Sequence, residues 1–273
     1  MGGQAMPVCE TLLLRREGSV LHVQLNRPEV RNAMSLQMVD ELRQTLQAAE
    51  SDGQVRVIVL RGSGGHFCAG GDIRDMAAAR MKLADAAPGQ DPVAEVNASF
   101  GELCVAYAGT PLAVVAVLEG TVMGGGFGLA CVSDVALVDP GASFRLPETS
   151  LGVVPAQIAP FLVERLGYSQ ARRLAVTGGR LDASAALSVG LVHGVHAPDA
   201  MPGALQAVLT DILACAPGAI AATKALMARA RFTPPADLVR EAAAVFSRAA
   251  LGPEGQEGTG AFLQKRKPSW AVS

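Results

Sequence analysis

Neither sign of charge dominates this sequence: 23 Lys and Arg stand against 25 Asp and Glu, a formal net charge of -2. That balance leaves no electrostatic footprint for nucleic acid and no polybasic patch for a membrane. Charged residues make up only 18% of the chain and apolar ones 50%. With a mean hydropathy of +0.30, this excludes a mainly disordered protein. The strongest apolar stretch, Leu112 to Leu118, falls far short of the ~20 residues of a membrane span. Residues Met1 to Glu10 lack the apolar region of a signal peptide, and Met6 breaks the myristoylation pattern. The five cysteines (Cys9, Cys68, Cys104, Cys131, Cys215) form no C-x-x-C and have no His cluster beside them. Their odd number and wide spacing predict reduced thiols in a soluble, cytoplasmic protein with no metal site.

Several catalytic signatures are also missing. There is no G-x-S-x-G elbow, no H-E-x-x-H and no P-loop, and the run from Gly124 fails the dinucleotide pattern because its last position is Leu129. His22, His193 and His196 read as structural or surface residues, and Cys68 as packing, since nothing near it in sequence would activate a thiol.

What the chain does have is alternation of strands and helices. Leu21–Leu25 alternates as a half-buried strand does; Ser35 is an N-cap before Leu36, Met38, Val39, Leu42 and Leu46 at helical spacing; Val55–Leu60 is a buried strand. Helices over 73–81 and 93–108 follow, with a Pro- and Gly-containing stretch at 84–92 that could act as a lid. Strands over 112–119 and 135–138 flank a glycine run. The pattern predicts an α/β core with parallel strands. After Gly152 the chain reads as helices (158–166, 170–176, 183–187, 205–215, 219–230, 238–251), with a turn-rich break at 252–260. The expected division is an α/β core over 1–195 and a helical part over 196–273.

Thirty glycines are read by position. Phe67–Ile73 and Gly124–Gly126 are Gly-rich turns, each after a buried strand and before a helix, where free N–H groups and the helix dipole favour negative charge. Side by side they could supply two donors to one oxyanion. Alone, the same glycines could serve only close helix packing. Glu148, in Phe144-Arg-Leu-Pro-Glu148, has apolar neighbours that would raise its pKa toward neutrality; alternatively it is a turn carboxylate paired with Arg145.

Taken together the segments resemble the crotonase (enoyl-CoA hydratase/isomerase) superfamily over nearly the whole chain: Asn26-Arg-Pro-Glu-Val-Arg-Asn-Ala33, His66-Phe-Cys-Ala-Gly-Gly-Asp-Ile73, Glu119–Gly126, Ser133-Asp134, Pro147-Glu148 with Leu151-Gly152, Gln170–Arg173 with Leu181-Asp182, and Phe262–Lys267. The resemblance implies a spiral of ββα units with a helical C-terminal region that forms trimers, often paired into hexamers. It implies that Gly71 and Gly125 bind the thioester oxygen of an acyl-CoA and that Glu148 transfers the proton. Ala69, Gly70, Asp72, Ile73 and Gly124 would lie along coenzyme A, Asn32 and Ala33 near its nucleotide end, and Lys265 and Lys267 at its phosphates. No cofactor is implied beyond the coenzyme A of the substrate.

One position departs from the pattern. The first of the two family glutamates is replaced by Gly128, leaving hydration through Glu148, a Δ3,Δ2-enoyl-CoA isomerase, or a non-catalytic acyl-CoA-binding protein. Phe127–Cys131, Pro155–Phe161, Cys215–Pro217 with Ala221–Ala225, and Phe262–Trp270 resemble isohexenylglutaconyl-CoA and methylglutaconyl-CoA hydratases, a subgroup that tolerates Gly here. Substrates of that subgroup carry a second carboxylate, for which Arg145 and Gln157 are the candidates. An ion pair to Glu148 or solvent exposure is the alternative for Arg145, and a backbone-satisfied loop amide for Gln157.

Overall fold

The computed structural model describes residues 6–271, so the reading of residues 1–5 lies outside it. Two compact units emerge: residues up to 108 together with 114–205, and residues 109–113 together with those from 206 on. The expected boundary was 195/196.

The first unit carries a six-stranded sheet in the order β1 (Leu12–Glu17), β2 (Val20–Leu25), β3 (Val57–Gly62), β4 (Ala113–Leu118), β6 (Val135–Val138), β9 (Gly194–Val195). The β1–β2 hairpin is antiparallel, while β2–β3, β4–β6 and β6–β9 are parallel. The prediction of parallel strands therefore holds for the interior but not for the edge hairpin, where the tight turn at Gly18 (φ 58°) forces reversal. Every residue of β4 is buried, as a strand covered on both faces must be. A second sheet, β5 (Thr121–Met123), β7 (Ser143–Arg145) and β8 (Arg180–Asp182), consists of three-residue strands too short for periodicity to reveal.

Helix α1 (Leu36–Asp52) begins where expected: Ser35 Oγ accepts the Met38 N–H at 3.2 Å, and Gly53 closes the helix at φ 69°. Helices α2 (Ile73–Lys82) and α3 (Pro92–Gly109) bracket a 3₁₀ turn at Leu83–Asp85, and the residues Gly89, Gln90 and Asp91 before α3 line an open cleft with Leu36, Asp75 and Val96. Helix α4 (Gly125–Val132) follows β5. The two expected helices after 158 are fused as α5 (Ala159–Thr177), broken at Gly167, whose φ of 70° and ψ of 155° are not helical. Helix α6 (Ala183–Ser188) follows β8.

Helix α7 (Met201–Ala214) leads from the first unit into the second, which holds α8 (Pro217–Ala230), α9 (Pro235–Leu251) and α10 (Pro253–Leu263). The last helix occupies the stretch expected to be a turn-rich break. Its three glycines disfavour helix by ~1 kcal/mol each, but tertiary contacts override them. Glu254 accepts the N–H groups of Gly218 and Ala219 at the start of α8, Glu257 pairs with Arg266 at 2.7 Å, and the Trp270 ring packs on Gly258. Among the described residues no single helix is long and apolar enough to cross a membrane, and no group of His, Cys, Asp and Glu could hold a metal ion.

Candidate active site

The two Gly-rich turns run side by side. After β3 the chain passes through His66–Gly71 parallel to β5. The Phe67 N–H bonds Glu119 O at 2.8 Å, Cys68 N–H bonds Thr121 O at 3.0 Å, and Met123 N–H bonds Cys68 O at 2.9 Å. Gly70 then takes φ 101° and Gly124 φ 45°, conformations open to glycine. A methyl group on Gly124 would lie 3.5 Å from Gly70 Cα, so the two turns pack within van der Waals reach of each other.

That contact leaves two donors unused. Met34 bridges to Gly71 by taking its own N–H to Gly70 O (2.7 Å) and accepting from Asp72 N–H (2.9 Å). In such a bridge the N–H of the middle residue, Gly71, points away from the partner strand, and it has no protein acceptor among the described residues. Gly125 is the first residue of α4, so its N–H has no intrahelical partner. Gly71 is exposed and Gly125 half-exposed.

Glu148 completes the group. Its Oε1 lies 3.1 Å from the point where a Gly124 side chain would begin, and its Oε2 is buried with no hydrogen-bond partner. Burial pushes the carboxyl above its usual value of 4.5, only partly offset by its own main-chain N–H. No ion pair with Arg145 forms among the described residues. Arg145 instead reaches Ser150 Oγ at 3.4 Å, and its Nε is buried without a partner.

The space next to this group is apolar. The Phe100 ring, from α3, lies 3.2 Å from a methyl placed on Gly125 and 3.3 Å from one placed on Gly128, while Met34 Cε reaches 3.7 Å from the former. A methyl on Gly128 would meet Ile158 Cγ2 at 2.5 Å. A side chain at position 128 therefore has no room: Ile158 and Phe100 fill the space. Neither residue, nor Met34, stood out in the sequence, because each looks like ordinary core.

Other expected contacts fall differently. Asn32 is completely buried, and its amide is consumed inside the protein. Its Oδ1 accepts from Arg27 N–H and Ser63 Oγ, and its Nδ2 donates to Ser63 O and His66 O. It knots two loops together, with every polar atom of its side chain engaged within the protein. Ala33 is half-buried beside it, its carbonyl accepting from Arg27. Asp72 likewise faces inward: it accepts from the Arg74 main chain and guanidinium and from Arg27 at 2.8 Å. Those bonds, Arg74 first, hold its carboxyl far below the usual range. It is a clamp on the Gly71 turn, where a carboxylate facing phosphate would be repelled. Ala69 is half-exposed and Ile73 78% exposed, so both face outward.

Gln157, a candidate for the second substrate carboxylate, is held by a side chain rather than by the backbone: its Nε2 donates to Asn97 Oδ1 at 2.8 Å. Lys265 and Lys267 lie in the second unit after α10, Lys265 in a left-handed conformation (φ 53°). Cys68 is buried with its thiol pushed up to about 11 by desolvation, an inert packing residue as expected. His193 Nδ1 accepts the Ala136 N–H, and His22 faces Glu17 at 3.5 Å, both structural positions.

The enoyl-CoA hydratase/isomerase family profile matches residues 15–272. An enoyl-CoA hydratase/isomerase structure from Marinobacter aquaeolei is 51% identical, covers 97% of this chain and 100% of its own, and superposes with a TM-score of 0.92. The structure of Pseudomonas aeruginosa AtuE is 52% identical over 96% of this chain and 100% of its own, with a TM-score of 0.91. The 2,3-dehydroadipyl-CoA hydratase of Escherichia coli is 31% identical over 262 residues, 95% of this chain and 98% of its own. With a profile match along almost its whole length and the crotonase fold, this chain belongs to the enoyl-CoA hydratase/isomerase family of enzymes.

Proposed function

We propose that this enzyme adds water to a 2-enoyl-CoA thioester with a branched or glutaconyl-type acyl group, such as isohexenylglutaconyl- or methylglutaconyl-CoA. One observation carries the reading: two unused main-chain donors and a buried, half-unsatisfied carboxylate converge at the contact between the Gly70 and Gly124 turns. In this reading the N–H groups of Gly71 and Gly125 bind the thioester oxygen. Glu148, ionised, takes a proton from water as the water oxygen attacks Cβ, and the displaced electron pair moves onto the thioester oxygen. The protonated Glu148 then returns the proton to Cα, so the net change is addition of one water. The oxyanion donors contribute ~10²–10³ in rate each and the carboxylate ~10²–10⁴.

The second carboxylate of the acyl group is supported by the name of the Escherichia coli relative, whose substrate is a dicarboxylic acyl thioester, and by Arg145, whose buried Nε has no partner. Coenzyme A would run along Ala69–Ile73 and Gly124. The exposed Met227, Phe232, Phe246 and Phe262 of the second unit support self-association, which in this reading forms a homotrimer or a hexamer of paired trimers.

A second reading, Δ3,Δ2-enoyl-CoA isomerisation, draws on the Ile158 contact with Gly128, because a single base suffices to move a proton between Cα and Cγ. Both are tested by following the conjugated enoyl-thioester absorbance. Loss with crotonyl- and methylglutaconyl-CoA, abolished in Glu148→Gln, supports hydration. A gain from a 3-enoyl-CoA alone moves the enzyme to isomerase. Silence with every thioester, alongside retained coenzyme A binding, makes it an acyl-CoA-binding protein.

A further inference from the structure

Helix α3 carries a glycine where a helix should not want one. Gly101 is buried mid-helix, at a penalty of ~1 kcal/mol relative to Ala. A methyl there would collide with the end of Gln157, since the amide oxygen, Cδ and Cγ of Gln157 occupy that space. The helix forgoes a side chain so that this amide can be seated against it. The seated amide then donates from Nε2 to Asn97 Oδ1 at 2.8 Å, one turn back on the same face of α3. This uses the acceptor of Asn97 and leaves both hydrogens of its Nδ2 without a protein partner among the described residues. Asn97 is half-buried. Three residues on, Phe100 lies against Gly125 and Gly128.

We infer that Asn97 is a specificity-determining residue that hydrogen-bonds a carboxylate at the far end of the acyl group, and that Gln157 is a positioning residue that turns the donor end of Asn97 toward it. The inference rests on the hydratase reading above. Three residues of helix rise by about 4.5 Å, and four carbon–carbon bonds of ~1.5 Å span about 5 Å in a zigzag chain. A five-carbon enedioyl thioester thus carries its free carboxylate about 5 Å from its thioester carbonyl, and Asn97 stands a step of similar length along α3 from Phe100, whose ring borders the Gly125 turn. An amide supplies donors to a carboxylate without adding a charge of its own.

The experiment measures kcat and KM with glutaconyl-CoA and crotonyl-CoA, which differ in the far carboxylate, for the wild type, Asn97→Ala, Asn97→Asp and Gly101→Ala. Asn97→Ala is expected to raise KM for glutaconyl-CoA about tenfold or more with kcat/KM for crotonyl-CoA within about twofold. Asn97→Asp loses more, on glutaconyl-CoA only, by like-charge repulsion. Gly101→Ala leaves Asn97 in place but displaces Gln157, and gives the same selective loss in a helix of higher propensity, so misfolding cannot mimic it. Equal losses on both substrates, or no loss in Asn97→Ala while the wild type hydrates glutaconyl-CoA, overturn the role of Asn97 alone. A wild type that hydrates crotonyl-CoA but not glutaconyl-CoA overturns the inference and leaves hydration standing, and a wild type inactive on both overturns the hydratase reading itself.

Discussion

Placing a glutamate beside the candidate site by Gly128→Glu should damage this protein rather than improve it. The new Cβ would lie 2.5 Å from Ile158 Cγ2 and 3.3 Å from Phe100 Cζ. The Ile158 atom is a short branch on a fully packed residue, 3% exposed, so it cannot swing aside as a long side chain would. Overpacking of this kind costs about 1–3 kcal/mol, and a buried carboxyl without a partner adds roughly 2 kcal/mol or more. Replacing a helical glycine returns at most ~1 kcal/mol. The net loss is then about 2–5 kcal/mol, a large part of the ~5–15 kcal/mol that stabilises a typical protein. At ~2–4 °C per kcal/mol for a protein of this size, the melting temperature falls on the order of 10 °C. Calorimetry with parallel crotonyl-CoA hydration assays checks this, and Gly128→Glu combined with Ile158→Ala should recover part of the loss because the obstructing methyl groups are gone. A single Gly128→Glu variant with wild-type melting and faster hydration would refute the packing argument.

Glu148→Gln should reduce turnover by ~10²–10⁴ while leaving the fold at least as stable at neutral pH. Because burial raises the carboxyl above 4.5, ionisation penalises the native state. The contribution of the wild-type carboxyl is therefore fully favourable only below 4.5 and is lost as pH rises through the folded value, so the melting advantage of the Gln variant should shrink in acid. Asp72→Asn leaves Arg27, 15% exposed, without its buried counter-charge and should cost ~3–5 kcal/mol together with kcat, as the Gly71 turn loosens; thermal melts and crotonyl-CoA kinetics test it. Since the Asp72 pKa is depressed, its stabilisation is present above the usual 3.8 and is lost as pH falls below it toward the folded value. In the native protein a thiol reagent should label exposed Cys215 first and half-buried Cys9 slowly. Cys68, Cys104 and Cys131 should react only on unfolding, because burial raises all three thiols, Cys131 to about 12.

The local pieces were legible because local physics determines them. Ser35 capped the helix that its hydroxyl predicts, β6 spans the four residues its apolar run marks, and the two glycine turns lie before helices as their spacing requires. The three-residue strands of the second sheet and the glycine-containing α10 were illegible, since their order comes from partners distant in the chain. The same divide runs through the site. Motif order, through the resemblance it carries, was enough for the family and for singling out Gly71, Gly125 and Glu148. Only the tertiary structure turned Asn32 and Asp72 inward, filled the space beside Gly128 with Ile158 and Phe100, and set Gln157 into the gap left by Gly101. Each of those outcomes joins segments more than twenty-five residues apart through contacts of a few ångströms, and a one-dimensional pattern carries no information about which far neighbour will occupy a given space.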